Sequence, residues 1–360
     1  MILPGSYFLS LVILILSMLC WGSWANTFKL TGGKWRFELF YFDFALGVLL
    51  ASVIAGFTFG NMGWDGFQFL DDLRNAGKRQ DLFAFVAGCV FNLANMLLVA
   101  AISVAGMSVA FPIGIGLALI IGVVWSFFLH PVGSPLLLAG GCIAIVAAIV
   151  FDAVAYRLHS ARRQAQAAAA QPTAAVPGKP KTKKAQAKPP SVAKGIILSI
   201  VSGILMGSFY PLVEMARTGD IGLGPYAVGF VFAVGVFFST FAFNLFFMNL
   251  PVQGEPIDFA AYFIGRAKNH LLGILGGGVW YVGAVANFVA ARAEGAAQVG
   301  PAVSYAMGQG ATLISALWGL IVWREFSGAE NDVKTFLAVM LFLFVLGLAT
   351  VSVAPLYPAH

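Results

Sequence analysis

Asp43 stands inside an apolar stretch, Phe42-Asp43-Phe44-Ala45-Leu46-Gly47-Val48, where an acid is costly. If the helix starts near Glu38, this carboxylate lies about 8 Å in, at ~1.5 Å per residue. An ionised carboxylate deep in a membrane helix costs about 2.5–3.5 kcal/mol on insertion scales, so it must face water, meet a partner or carry a proton. Residues 230–236, Phe-Val-Phe-Ala-Val-Gly-Val, repeat residues 42–48 with Val231 in place of the acid. The fold itself therefore does not require an acid there. Two chemistries fit: uptake and release of a coupling proton, or acceptance of a hydrogen bond from a solute N–H. The plainer alternative is a surface ion pair with Lys34 or Arg36.

Uncharged polar and aromatic groups are the other chemistry-bearing set. Trp21, Trp24 and Asn26 end the first apolar run, and Gly207-Ser208-Phe209-Tyr210-Pro211 occupies the corresponding place in the second half, aligned through Gly22-Ser23. Asn92 and Asn95, Trp280, Tyr281 and Asn287 lie on the third and eighth runs, and Gln298, Tyr305 and Gln309 on the ninth. Aromatic faces cover the apolar surface of a small ring, and amide edges match its hydroxyl or amide groups. The same residue types also make interfacial belts and interhelical hydrogen bonds. Pro112 and Pro301 are expected to bend the fourth and ninth spans, with Gly114 and Gly116, then Gly308 and Gly310, following them. Glu38, Asp152 and Glu214 each have an arginine close by in sequence (Arg36, Arg157, Arg217), so ion pairing is their first reading. No metalloprotease, nucleophile-elbow or Cys/His metal pattern occurs, and the carboxylates are scattered, so an enzyme is not expected. The histidines sit at loops or ends, and Cys20, Cys89 and Cys142 fall in apolar runs with no metal or disulfide spacing.

The elements that position these groups are membrane helices. Hydrophobic residues make up 60% of the chain, charged residues 10%, and mean hydropathy is +0.88. From Leu82 to Phe151 there is no Asp, Glu, Lys or Arg over 70 residues, room for three crossings at ~20 residues each. Ten spans are expected, at roughly 7–27, 38–59, 82–104, 106–129, 134–156, 195–216, 225–249, 270–291, 296–323 and 335–354. No Lys or Arg precedes Lys29, so the first run reads as a retained span rather than a secretory signal. Gly88, Val90, Ala101, Gly106 and Pro112 recur 189 positions later as Gly277, Val279, Ala290, Gly295 and Pro301. The expected fold is all-α: two five-helix repeats, residues 1–156 and 195–360. Five is odd, so the second repeat is inverted in the membrane.

Residues 157–194 join the halves. They carry nine Lys or Arg and no acid, and the stretch 164–190 is rich in Ala, Pro, Gln and Lys, a composition expected to be disordered. With this linker in the cytoplasm, sixteen Lys and Arg lie inside and five outside, which puts both termini outside. A basic juxtamembrane tether suits anionic lipid headgroups. Nothing here resembles a nucleic-acid-binding signature. Trp64, Phe67, Leu70 and Leu73, flanked by Asp65, Asp71, Asp72 and Arg74, read as a short amphipathic helix at the outer interface, and residues 256–263 hold the matching place in the second half.

Several short segments carry a family resemblance. Gly22-Ser23-Trp24-Ala25-Asn26 and Tyr41-Phe42-Asp43-Phe44 resemble the matching segments of ureide permeases, within the drug/metabolite transporter superfamily. Ala296-Ala297-Gln298-Val299 and Ile314–Trp323 with Arg324-Glu325-Phe326 resemble the end of the ureide permease repeat. Gly106-Met107-Ser108-Val109 and Pro112-Ile113-Gly114-Ile115-Gly116 resemble the bacterial branch of rhamnose and glucose/ribose carriers. The phosphate-loop-like Gly-x4-Gly-Lys of plant ureide permeases is absent, since Thr173 stands where Gly178-Lys179 would need its first glycine. No nucleotide role is implied.

The sequence thus leads to a secondary transporter of the cell membrane, moving a small, mainly uncharged polar solute by alternating access. The resemblance implies a ureide or nucleobase-like compound, or a monosaccharide. Proton-coupled uptake through Asp43 is expected, with no cofactor beyond the proton gradient. An exporter working by proton antiport on the same scaffold, and a transport-inactive membrane scaffold or receptor, stay open at this stage.

Overall fold

The computed structural model describes the chain except residues 33–34, 170–191, 220, 253–254 and 358–360. Among the described residues every regular element is a helix, and ten spans are long and apolar enough to cross a bilayer. The first half comprises α1 (Tyr7–Ser23) continued by α2 (Ala25–Lys29), α3 (Phe37–Phe57), the short α4 (Phe69–Asn75), α5 (Lys78–Ala105), α6 (Met107–Leu129) and α7 (Pro135–Ala169). The second comprises α8 (Val192–Arg217), α9 (Pro225–Asn249), the short α10 (Ala260–Phe263), α11 (Ala267–Ala291), α12 (Pro301–Gly308) with α13 (Ala311–Leu317), and α14 (Asn331–Val353).

Helix packing is preserved when the halves are exchanged. Helix α5 packs on α8 as α11 packs on α1, and α6 meets α8 as α12 and α13 meet α1. Helix α3 lies on α11 as α9 lies on α5, while α3 with α9, and α7 with α14, pair each helix with its own counterpart. Between the halves the core is aromatic: Phe40, Tyr41, Phe44, Tyr210, Phe232, Tyr281, Phe288 and Tyr305 are all fully buried.

Among the departures from the sequence reading, two boundaries and the expected bends have a clear physical reason. Helix α5 starts at Lys78 because its first turn is charged, which a hydropathy window excludes. Helix α7 runs through Ala169, thirteen residues into the expected linker. The Ala- and Gln-rich extension has high helix propensity. It is pinned by Arg162, whose guanidinium makes two 2.6 Å bonds to Asp332 at the start of α14. The rest of the linker, including Gly178-Lys179, lies outside the described residues, as does Lys34.

The third departure concerns the bends. Pro112 sits within α6, which continues through it. Pro301 occupies the first position of α12 behind Gly300 (φ 75°), where its missing N–H would find no helical partner anyway. Pro301 therefore does not interrupt the ninth span. The interruption falls at Gln309-Gly310, where the amides turn back to Tyr305, Ala306 and Met307 before α13 begins. A π-helical turn over Trp318–Val322 follows.

Candidate functional site: a cavity between the halves

The break in the ninth span and the end of the first frame a cavity of about 430 Å³, within the ~300–1,000 Å³ of small-molecule sites. The wall from α1 and α2 carries Trp21, Trp24, Asn26 and Lys29; the ninth span faces it with Gln309, Thr312, Ser315 and Trp323. Helices α5, α6, α8 and α11 add Phe91 and Asn95, Phe111, Phe209 and Trp280. The close approach of these walls depends on absent side chains. A Cβ on Gly22 would overlap Ile314 and the Ala311 carbonyl, and one on Gly308 would overlap the Trp21 ring.

Aromatic rings close the cavity toward Met1. Trp21 stacks on Trp280 with centroids 6.0 Å apart, and its Nε1 donates to the Trp280 carbonyl at 3.1 Å. Phe91 lies 4.4 Å from Trp280, and Phe232 stacks beyond it at 5.9 Å. Below them, Asn287 ties four helices together. It accepts from the Tyr210 hydroxyl at 2.6 Å and from Ser304 Oγ at 3.0 Å, and its amide donates to the Ser304 carbonyl at 3.0 Å and to Ser17 Oγ at 3.4 Å. The opposite, linker-side end is the mouth. There Lys29 pairs with Glu325 and sits 4.3 Å over the Trp323 ring, both charged side chains about two-fifths exposed.

The lining divides into groups already satisfied and groups left for a ligand. The Asn26 amide is committed: Nδ2 donates to the Ser23 carbonyl at 2.9 Å and Oδ1 accepts from Trp323 Nε1 at 2.6 Å. Trp318 Nε1 donates to Ser23 Oγ, and Ser315 Oγ to the Gly22 carbonyl. Asn95, which lines the cavity, donates to the Tyr41 hydroxyl at 3.0 Å, and among the described residues nothing hydrogen-bonds its carbonyl oxygen. Among the described residues, nothing hydrogen-bonds the Gln309 side-chain amide or Trp24 Nε1. One acceptor, one amide and one indole N–H thus remain, set among flat rings. Such an arrangement can hold a small planar solute whose edge alternates N–H and C=O.

The sequence-predicted residues separate accordingly. Trp21, Trp24, Asn26, Asn95, Trp280 and Gln309 line the cavity. Asn92 is fully buried and turned to α9, donating to Ser239 Oγ at 2.7 Å, Thr240 Oγ1 at 3.1 Å and the Val236 carbonyl at 3.2 Å. Tyr210 belongs to the Asn287 cluster. Tyr305 donates to the carbonyls of Met206 and Ala118, 3.3 and 3.4 Å away. The Tyr281 hydroxyl is buried against Gly229 with no hydrogen-bond partner among the described residues, and Gln298 is exposed just before α12. Sequence reasoning missed Thr312 and Ser315, which share a face at i,i+3, and the Lys29–Glu325 pair, which no local spacing announces.

Asp43 is not on the cavity wall. It is 2% exposed at the linker-side end of α3. The Tyr262 hydroxyl donates to its Oδ1 at 2.5 Å, and His270 Nδ1 lies 2.8 Å from its Oδ2. Burial and the neighbouring carboxylate hold the Tyr262 hydroxyl well above the usual phenol range. Neither Tyr262 nor His270 stands out in the sequence, and the alternative ion pair of Asp43 with Arg36 is not made: Arg36 binds Glu38, the partner expected for it, at 2.6 and 3.0 Å. Glu214 pairs with Arg217 at 2.7 Å as expected, buried at the far end of α8. Among the described residues no three His, Cys, Asp or Glu side chains gather as metal ligands would.

Comparison with known proteins agrees with the resemblance read from the sequence. A family model described as Ureide permease matches residues 40–194. Ureide permease 1 of Arabidopsis thaliana is 23% identical over 385 residues, spanning 94% of this chain and 95% of the relative. Ureide permease 2 of the same plant is 23% identical over 395 residues, with the same coverage. A crystal structure of a protein 18% identical superposes with a TM-score of 0.58 over 96% of both chains, a likeness of fold.

Proposed function

We propose that the protein is a membrane transporter of a small, polar, ureide-like solute, working by alternating access between two inverted halves. The cavity carries this reading: it lies between the halves, has the exposed Lys29–Glu325 pair at its linker-side end, and presents unpaired hydrogen-bonding groups among aromatic faces. Packing that survives exchange of the halves supports inversion. Rocking one half against the other would close the Lys29–Glu325 mouth and open the Trp21–Trp280 end, giving two states of similar energy. With the basic linker in the cytoplasm, the conformation seen here faces inward.

A ureide offers alternating amide N–H and carbonyl groups on a flat frame, the complement of Trp24 Nε1, the Asn95 carbonyl and the Gln309 amide. The relatives named as ureide permeases favour the same class. Proton coupling completes the reading, with net movement inward. The test is reconstitution into liposomes, followed by counterflow of allantoin, uracil, rhamnose, glucose and ribose with and without an imposed pH gradient. Counterflow of allantoin with none of the sugars is the expected result. Flux of a sugar alone would replace the ureide assignment, and flux of no solute would remove the transport reading.

A further inference from the structure

We propose that Asp43, His270 and Tyr262 form one proton-binding site, separate from the solute cavity and opening to the linker-side water. This rests on the transport reading for its purpose, though not for its existence. The geometry is of a sealed acid with one exposed relay. Asp43 is buried, with one carboxylate oxygen against the Tyr262 hydroxyl and the other against His270 Nδ1. His270 is 23% exposed. Its Nε2 points past Gly265, where a Cβ would collide with that nitrogen and with the Trp35 ring. The absent side chain leaves the outer nitrogen open to receive a proton while the inner one holds the carboxylate.

Among the described residues no further charged side chain pairs with Asp43. Helix α2 brings Thr27, whose hydroxyl donates to the Trp24 carbonyl. Helix α9 brings Asn244, whose amide goes to the Glu38 carbonyl. Arg36 is held by Glu38 and by the Glu255 carbonyl, and Asp258 accepts from the Ala260 amide. Arg266 and Lys268 are exposed. Among the described residues the titratable groups touching Asp43 are therefore Tyr262 and His270. With His270 neutral the unit carries one net negative charge; with one proton added it carries none. Burying a net charge costs several kcal/mol more than burying a matched pair, so sealing the site during a conformational change favours the loaded form.

The site has a mechanical route to the solute. Gly273 of α11 abuts Asp43 Cβ, so α3 and α11 touch at the site itself. The next residue, Phe44, packs on cavity-lining Trp24 at 4.7 Å. Along α11, Trp280 stands ten residues from His270, about 15 Å at ~1.5 Å per residue. Any shift of α3 against α11 therefore moves two cavity walls.

Trp35 provides a reporter that needs no transport. Its ring lies edge-on to His270 with centroids 5.3 Å apart, and an imidazolium at that range quenches indole emission. Full-length protein in detergent would be titrated from pH 5 to 8.5, with the spectrum of Trp35→Phe subtracted to isolate this residue. A single quenching step is expected, absent in His270→Gln and changed in midpoint in Asp43→Asn. A flat difference signal, or one that persists in His270→Gln, overturns the site; if His270→Gln does not fold, Asp43→Asn decides by its midpoint alone. In liposomes, the ratio of pH-gradient-driven accumulation to counterflow should fall at least tenfold in His270→Gln. An unchanged ratio overturns the proposal while leaving transport intact. Loss of counterflow in the unaltered protein ends the transport reading, and the fluorescence titration still judges the proton site.

Discussion

Gly277 of α11 lies with its Cα face directly against the carbonyl oxygen of Phe44 in α3; a Cβ there would overlap the oxygen. The other half repeats the contact, with Gly88 of α5 on the Phe232 carbonyl of α9, and reciprocal glycines, Gly47 on Ile274 and Gly235 on Phe85, complete the set. Small residues allow such backbone approach where lipid supplies no hydrophobic drive. Gly277→Ala and Gly88→Ala should each destabilise the protein by about 1–3 kcal/mol, the usual cost of overpacking. Gly278→Ala, which has open space, should be neutral or gain up to about 1 kcal/mol from helix propensity. Thermal unfolding in one detergent compares them; an unshifted Gly277→Ala midpoint contradicts the contact.

Asp72 gives a pH dependence whose sign is fixed by burial. The carboxylate of α4 accepts from the Gly224 amide at 2.9 and 3.2 Å, capping the start of α9 across the halves. Burial raises its pKa to about 6 in spite of that bond and of Arg292 nearby, against ~3.9 in an unfolded chain. A raised folded-state value means a contribution present below about pH 4 and lost as pH climbs through about 6. Asp72→Asn removes the titration and keeps an acceptor. The midpoint of the variant relative to the unaltered protein should therefore rise between pH 4 and pH 7; a difference that shrinks over that range refutes dominance by burial.

Much of this architecture could be read from residue types, and what could not depends on rotation and distance. The spans and the repeat were legible because hydropathy and the Gly and Pro positions are one-dimensional signals. Helix phase is not. Asn92 and Asn95 are three residues apart, about 60° on a helical wheel, yet one faces α9 and the other the cavity. Tyr210, Tyr281 and Tyr305 have the chemistry of a site and are spent on packing. His270 looked like a loop-end residue because its partner, Asp43, is 227 positions away. In the ninth span Pro301 is the conspicuous residue in sequence, but a proline at a helix start breaks nothing, and Gly308-Gln309-Gly310 makes the interruption.

The division between cavity amides and packing amides is testable with one pair of substitutions. Gln309→Ala removes a group free to bind solute, worth about 0.5–1.5 kcal/mol, so KM for the transported solute should rise roughly two- to twelvefold with little change in melting. Asn92→Ala breaks interhelical bonds worth about 0.6–1.7 kcal/mol in membrane proteins, so melting should fall while KM stays within about twofold. Uptake kinetics and thermal unfolding on both variants decide it, and an interchange of the two outcomes would reassign the cavity.

The sidedness of the opening can be read chemically. Gln309→Cys, placed in a background with Cys20, Cys89 and Cys142 replaced, puts one thiol on the cavity wall. At the linker side the cavity is rimmed by the exposed Lys29–Glu325 pair. From the Met1 side it meets the Trp21–Trp280 stack and the Asn287 cluster, whose four helices must part before anything passes. A membrane-impermeant maleimide should therefore modify the thiol at least tenfold faster from the linker side, and a bound solute should slow the reaction. Faster labelling from the Met1 side in sealed vesicles would place the resting opening at the other end and reverse the assignment of inward and outward states.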